Sequence, residues 1–415
     1  MPTDDSYKYV EDSAQSLSLS DVNVNDEENN RLVPVYRFLH DRVQQAAYSM
    51  IEENSKSQIH LKIGRELLKA TPENELDEHV FTIVDQLNMS SELMTDEAER
   101  ERLANLNLIA GKKAKLSAAY NPAFDYLKSG INVLKADCWQ SQYNLTLSIF
   151  EEAAEAAYLC GDYEEMERIA ETVLQHAKTV LDTIKVYEVK IQAHASQHKL
   201  LDAVKTGLNV LNLLGVNFPE KPNKFNVLTA YMQTKIALFG KTTDDLLTLP
   251  EMTAPYKCAI LRILASTGPS TYLVSPKLMP LLIFKGLNIS LKYGNNIDSI
   301  FFYNTYGLVL CGVLGDIDTG IKFGELALRL SEKLNATLLE STTQGTFNVF
   351  IKHWKKHIRE TLQSVEKSFQ RGLETGDFYY AGVCGYCYIF HSYSSGINLI
   401  KLEQTIVKYN DILKK

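Results

Sequence analysis

The sequence has no surplus of positive charge. Its 43 lysines and arginines stand against 51 aspartates and glutamates, a formal net charge of −8 at pH 7, and that balance offers no electrostatic footprint for nucleic acid. Long apolar runs are missing too. The weakest polar stretch, "FFYNTYGLVLCGVLG" from Phe301 to Gly315, contains Asn304 and three glycines and is too short to span a bilayer. Paired cysteines are absent: Cys138, Cys160, Cys258, Cys311, Cys384 and Cys387 are scattered through apolar segments, which excludes a disulfide framework and fits reduced thiols in a cytoplasmic protein. The opening "MPTDDSYKYVEDSAQ" lacks a basic segment leading into an apolar core, so no signal peptide is expected. Strict apolar–polar alternation between turn residues is almost nowhere to be found, which removes most strand signals.

What remains is helical. From Ser13 to Asn30 the chain is Ser-, Asn- and acid-rich, with too little apolar surface to offset the entropy of ordering, and residues 1–31 are expected to be a disordered lead-in. Beyond it Leu39, Val43, Ala46 and Met50 step by four, three and four, one stripe of an amphipathic helix, and that period runs almost to Lys415. A repeated turn and following helix recur at "SAAYNPAFDYLKSGINVL", "CGDYEEMERIAETVL", "QHKLLDAVKTGLNVL", "LGDIDTGIKFGELAL" and "IKHWKKHIRETLQSV". Their equivalent turn positions are Ala118, Gly161, His198, Gly315 and Lys352, with steps of 43 and 37 in the first group and 37 in the last. A period near 40 made of two antiparallel helices predicts an all-α, tetratricopeptide-like helical-hairpin solenoid over residues 56–415, each pair burying its apolar stripe against its neighbours. Pro219, Pro222, Pro250 and Pro255 predict irregular connections in the middle of the array.

Several motifs invite a chemical reading and are better explained without one. "LFGKTT" ends like a phosphate-binding loop, but the loop needs a glycine where Lys235 stands, inside a helical pattern. "CGYC" has redox spacing yet sits within an aromatic-rich segment, so Cys384 and Cys387 read as buried structural thiols. His353 and His357 are spaced i, i+4 as metal ligands would be, but lysines surround them and no acid lies between, which predicts a solvated basic face. "GDIDTG" has two aspartates at calcium-loop spacing with Gly320 one position early, and reads as a repeat turn. No catalytic or metal-ligating set emerges, and the chain itself reads as a non-enzyme with no cofactor of its own.

Longer stretches carry a resemblance. "FLHDRVQQAAYSMI", "LPEMTAPYKCAILRILASTGPSTYL", "LKYGNN", "GLVLCGVLGDIDTGIKFGELALRL", "FIKHWKKHIRETLQ" and "GLETGDFYYAGVCGYCYIFHSY" resemble the central region of very large bacterial, often cyanobacterial, multi-sensor signalling proteins. In that family a serine/threonine kinase domain is followed by a nucleotide-binding STAND-type ATPase, a helical-repeat region, a GAF sensor domain and a histidine kinase. The resemblance implies that residues 32–55 are a remnant of the ATPase's winged-helix C-terminal region. It also implies a connector whose partners are an upstream ATPase and downstream GAF and histidine kinase domains, or peptides bound by the repeats. Arg37–Asp41 match the Met-His-Asp motif of such ATPases, with Leu39 in place of Met. The resemblance therefore implies that His40 and Asp41 sense ATP or ADP only when a neighbouring ATPase domain supplies the nucleotide; otherwise Asp41 caps its helix and His40 is an ordinary histidine. The stripe through Ile406, Tyr409 and Leu413 is expected to seek a continuation, as in a fragment of a longer protein.

Overall fold

The computed structural model describes residues 45–46 and 48–413. The proposed lead-in, most of the ATPase remnant, and both His40 and Asp41 lie outside the described residues. Just before the long helices, the Lys56 ammonium stands 5.0 Å from the centre of the Tyr48 ring.

The helices follow one another with little else between them. In chain order they are α1 (Glu53–Ala70), α2 (Leu76–Asn88), α3 (Glu97–Leu116), α4 (Tyr120–Val133), α5 (Tyr143–Leu159), α6 (Tyr163–His176), α7 (Ile184–Ser196) and α8 (Leu200–Leu213). They continue as α9 (Lys224–Leu238), α10 (Pro255–Val274), α11 (Leu278–Tyr293), α12 (Ser299–Val309), α13 (Ile317–Lys333), α14 (Glu340–Thr346), α15 (Arg359–Thr375), α16 (Phe378–Ser394) and α17 (Leu399–Leu413). The only bridge of strand type among the described residues joins Glu251 to Asn295. Residues 57–415 form one compact unit, an all-α array in which helix pairs pack on the pairs before and after them.

The hairpin turns explain why the repeat is readable. Ala118, Gly161, His198 and Gly315 all take left-handed backbone, with φ of 56°, 78°, 59° and 72°. At the first three the chain closes with two reverse hydrogen bonds, for example Asp162 N to Ala157 O at 2.9 Å and Gly161 N to Tyr158 O at 2.9 Å, which satisfy carbonyls left open at the helix end. An acceptor at the next position starts the following helix: the Asp162 carboxylate accepts from Glu165 N at 3.1 Å, and Asp316 accepts from Thr319 N at 3.3 Å. Between paired helices, small residues permit close approach; Ala153, Ala154, Ala156 and Ala157 of α5 are buried.

The fifth expected turn differs. Lys352 has φ −60° and lies beyond a π-helical segment, Phe347–Ile351, in a single 3-10 turn, Lys352–Trp354. A π segment, Leu310–Leu314, also runs directly into the left-handed Gly315, so the π turn alone does not make the difference. Directly after Phe347–Ile351 no glycine follows, and the chain reaches α15 through the 3-10 turn and residues 355–358. His353 and His357 consequently do not share a helical face. His357 is exposed and its Nδ1 accepts from Arg359 N at 3.1 Å, while half-buried His353 is turned inward, 5.8 Å ring to ring from His391. The solvated basic face therefore describes His357 and not His353.

The array returns upon itself. Gly376, at φ 76°, passes so close to Tyr120 that a Cβ there would lie 2.3 Å from the tyrosine Oη and 3.6 Å from Leu159 Cδ2. Phe378 meets the Tyr120 ring edge-on at 6.0 Å between centroids. Gly376 and Tyr120 are 256 positions apart in the chain, so the start of α16 docks against α4 and α5, and the helices between them enclose an inner wall. At the far end Tyr409 of α17 is buried and stacks on Phe369 at 4.3 Å, so the middle of the terminal apolar stripe is already covered, while Ile406 remains exposed.

Candidate functional site

The first helices of successive hairpins carry charged side chains toward the inner wall. Glu152 and Glu155 on α5 are bridged from both sides. Lys115 of α3 reaches Glu152 Oε2 at 2.5 Å and Glu155 Oε2 at 2.6 Å, and Lys185, just inside α7, reaches Glu152 Oε1 at 2.5 Å and Glu155 Oε2 at 3.0 Å. Further along, the Arg262 Nε of α10 donates to Glu188 Oε2 of α7 at 2.5 Å, and the Ser266 hydroxyl lies 3.2 Å from the other oxygen of Glu188. Asp298, before α12, accepts from Asn296 Nδ2 at 3.1 Å. The stripe faces the closure: the charge of Glu155 acts on the Tyr120 hydroxyl, and that of Asp377 acts on Tyr158.

The balance of this stripe is uneven. Three cations, Lys115, Lys185 and Arg262, face five carboxylates, Glu151, Glu152, Glu155, Glu188 and Asp298. Burial raises the Glu155 carboxyl, but Lys185 and Lys115 outweigh it and hold the group down at about 2. Glu152 is lowered by the same two ammoniums against the same opposing burial. Lys185 rises in turn, since Glu155 and Glu152 overcome the burial that would lower it. The two carboxylates in excess behave the opposite way. Burial pushes Glu151 up to about 7, with Lys185 and Arg262 pulling only partly back, and burial followed by repulsion from Glu188 pushes Asp298 up to about 6. Water still reaches this wall, for the Arg262 side chain is 43% exposed. In this stripe Glu151 and Asp298 hold their protons to higher pH than ordinary carboxyls, chiefly because they are buried.

The motifs singled out in the sequence are not brought together here. Gly240 is the left-handed residue after α9, and Thr242 and Asp245 form a capping box for the single helical turn Thr243–Leu247. Cys384 is fully buried and Cys387 partly so, with burial pushing their thiols up to about 12 and about 11. Asp316 caps α13, and Asp318 pairs with Lys355. Among the described residues no group of three or more His, Cys, Asp or Glu side chains is placed to hold a metal ion, and no helix is long and apolar enough to cross a membrane.

The ionic stripe went unnoticed in the sequence because Glu151, Glu152 and Glu155 look like a solvated helix face. The repeat register held a usable signal: Glu151 and Glu188 each stand ten residues before a left-handed turn residue, Gly161 and His198.

Fold and site together define an all-α array of helical hairpins closed around an ionic inner wall. No family model matches the chain. Over 92% of its length it is 24% identical to hybrid signal transduction histidine kinase G of Dictyostelium discoideum, and it spans 12% of that protein.

Proposed function

We propose that this chain is a non-catalytic helical-repeat scaffold of a signal-transduction kinase. The observation that carries the reading is the match to the Dictyostelium kinase, which takes in 92% of this chain and 12% of a much longer signalling protein. A continuous array whose hairpins pack on one another is suited to hold catalytic domains at fixed separations and to pass strain between them. In this reading the array is tetratricopeptide-like and lies between an upstream STAND-type ATPase and downstream GAF and histidine kinase domains, in a cytoplasmic, cyanobacterial-type assembly. His40 and Asp41 then report the nucleotide held by the ATPase. Peptide partners bound along the inner wall are the other role open to such a scaffold.

The test is direct. Purified residues 1–415 are assayed for ATP hydrolysis and, by calorimetry, for ATP and ADP binding. The scaffold reading expects neither; turnover, or a dissociation constant in the micromolar range, sinks it. Joining the chain to an ATPase module should create nucleotide affinity that His40→Ala weakens.

A further inference from the structure

Helix α9 carries apolar residues on two opposite faces. At about 3.6 residues per turn, Val227, Ala230, Tyr231, Thr234 and Leu238 share one side, which packs on α11: the Tyr231 ring lies 5.9 Å from that of Phe284, and Asn288 Nδ2 donates to Thr234 Oγ1 at 3.0 Å. Half a turn away, Phe225, Leu228, Met232 and Ile236 form a second stripe that Phe239 continues. Their exposures are 74%, 57%, 51%, 72% and 89%. That leaves between three and four large side chains' worth of apolar surface in water, on the order of 500–700 Å² at roughly 150–200 Å² each. Few monomers leave a larger patch, and it approaches the ~800 Å² that one partner contributes to a standard interface.

Charge identifies what covers it. Between Lys221 and Thr243 there are four lysines and no acidic residue. Lys224 and Lys235, three turns apart, lie on the same flank of the stripe, while the other flank carries Asn226, Thr229 and Gln233. Neither lysine pairs with a carboxylate among the described residues; Lys235 instead stands 5.9 Å from the centre of the Tyr231 ring. A bilayer favours cations on both flanks of a buried apolar stripe, and here they occupy one. A second copy packed antiparallel about a two-fold axis would set lysine against lysine, and one packed parallel would face both lysine rows with the neutral Asn226, Thr229 and Gln233, so neither supplies the lysines with a counter-charge. A one-sided row of cations beside an apolar seam instead matches the arrangement by which helices choose oppositely charged partners.

We propose that this outer face of α9 receives an amphipathic helix of a partner protein, its apolar stripe lying along Phe225–Phe239 and a row of carboxylates running beside Lys224 and Lys235. The surface is separate from the ionic stripe and does not depend on the scaffold reading.

The probe is a synthetic helical peptide with leucines at i, i+3, i+4 and i+7 and glutamates on their flanks, titrated into the full chain by fluorescence anisotropy. A lysine-flanked version is the control. The glutamate peptide should bind, and a Met232→Glu/Ile236→Glu variant should bind it at least about tenfold more weakly, a loss of ~1.4 kcal/mol. Both positions are exposed, so the variant's melting curve should match the parent's. A Lys224→Glu/Lys235→Glu variant should reverse the preference toward the lysine peptide. The proposal is overturned by failure of the glutamate peptide to bind, by equal binding to the parent and the Met232→Glu/Ile236→Glu variant, or by unchanged preference after the charge swap. Sedimentation with phosphatidylserine vesicles, or a dimer in analytical ultracentrifugation, that disappears in the Met232→Glu/Ile236→Glu variant would overturn it in favour of a lipid or self-association surface.

Discussion

Replacing Glu151 by glutamine should change how stability depends on pH. In the folded chain Glu151 sits at about 7 against an ordinary 4.5, chiefly because it is buried. The folded state therefore binds this proton more tightly than the unfolded chain does, and between pH 4.5 and 7 it carries more protons. Stability must then fall as pH rises through that window. A displacement of about 2.5 in pKa corresponds to roughly 3 kcal/mol at most, and water reaching the inner wall reduces it to about 1–2 kcal/mol. Asp298, raised from 3.8 to about 6, adds in the same direction over a lower window. Glu155, held at about 2, acts oppositely, its contribution being present above the unfolded value and lost as pH falls below 4.5. The three contributions together should therefore place the stability maximum near pH 4. Glu151→Gln keeps the shape without the charge, so urea midpoints followed by circular dichroism should coincide with the parent at pH 4.5 and exceed it by about 1–2 kcal/mol at pH 8. Parallel pH profiles for the two proteins would refute the assignment of a proton to Glu151.

Lys185→Met should destabilise the chain by about 3–5 kcal/mol, because it leaves Glu152 and Glu155 with Lys115 alone; adding Glu155→Gln should recover part of the loss, measured by the same urea titrations. Gly161→Ala places a side chain in open space at φ 78°, so its cost is conformational alone, about 1 kcal/mol. His198→Gly, at φ 59°, should by the same reasoning raise stability by up to about 1 kcal/mol, less the entropy glycine adds to the unfolded chain. Gly376→Ala drives a methyl into the Tyr120 hydroxyl; in a double-mutant cycle with Tyr120→Phe the two changes should couple by more than about 0.5 kcal/mol, and strict additivity would refute the closure.

The repeat was legible where one backbone conformation has few sequence solutions. A left-handed residue followed by a capping Asp, as at Gly161–Asp162 and Gly315–Asp316, leaves a mark that survives in Ala118 and His198. At Lys352 the mark fails because no left-handed residue follows the π turn Phe347–Ile351, whereas Gly315 supplies one directly after the π turn Leu310–Leu314. The inner wall was hidden for a different reason: Glu152 and Lys185 acquire their meaning only when α5 and α7 lie side by side. Helix α9 carries apolar residues on both faces, and only the structure shows that one of them, with Phe225, Leu228 and Ile236, faces water. The contact of Tyr120 with Gly376 was beyond any local pattern, being fixed by the summed twist of all the hairpins between them.

That contact also changes how the array should break. An open stack of hairpins loses its ends first, each repeat answering only to its neighbours. Here a hairpin near one end is latched to a hairpin near the other, so fraying at α16 removes support from α4 and α5 without passing through the helices between them. A pull applied between α4–α5 and α16 is borne by the latch before it reaches the helices between them, and a partner that loosens it would free that stretch in one step.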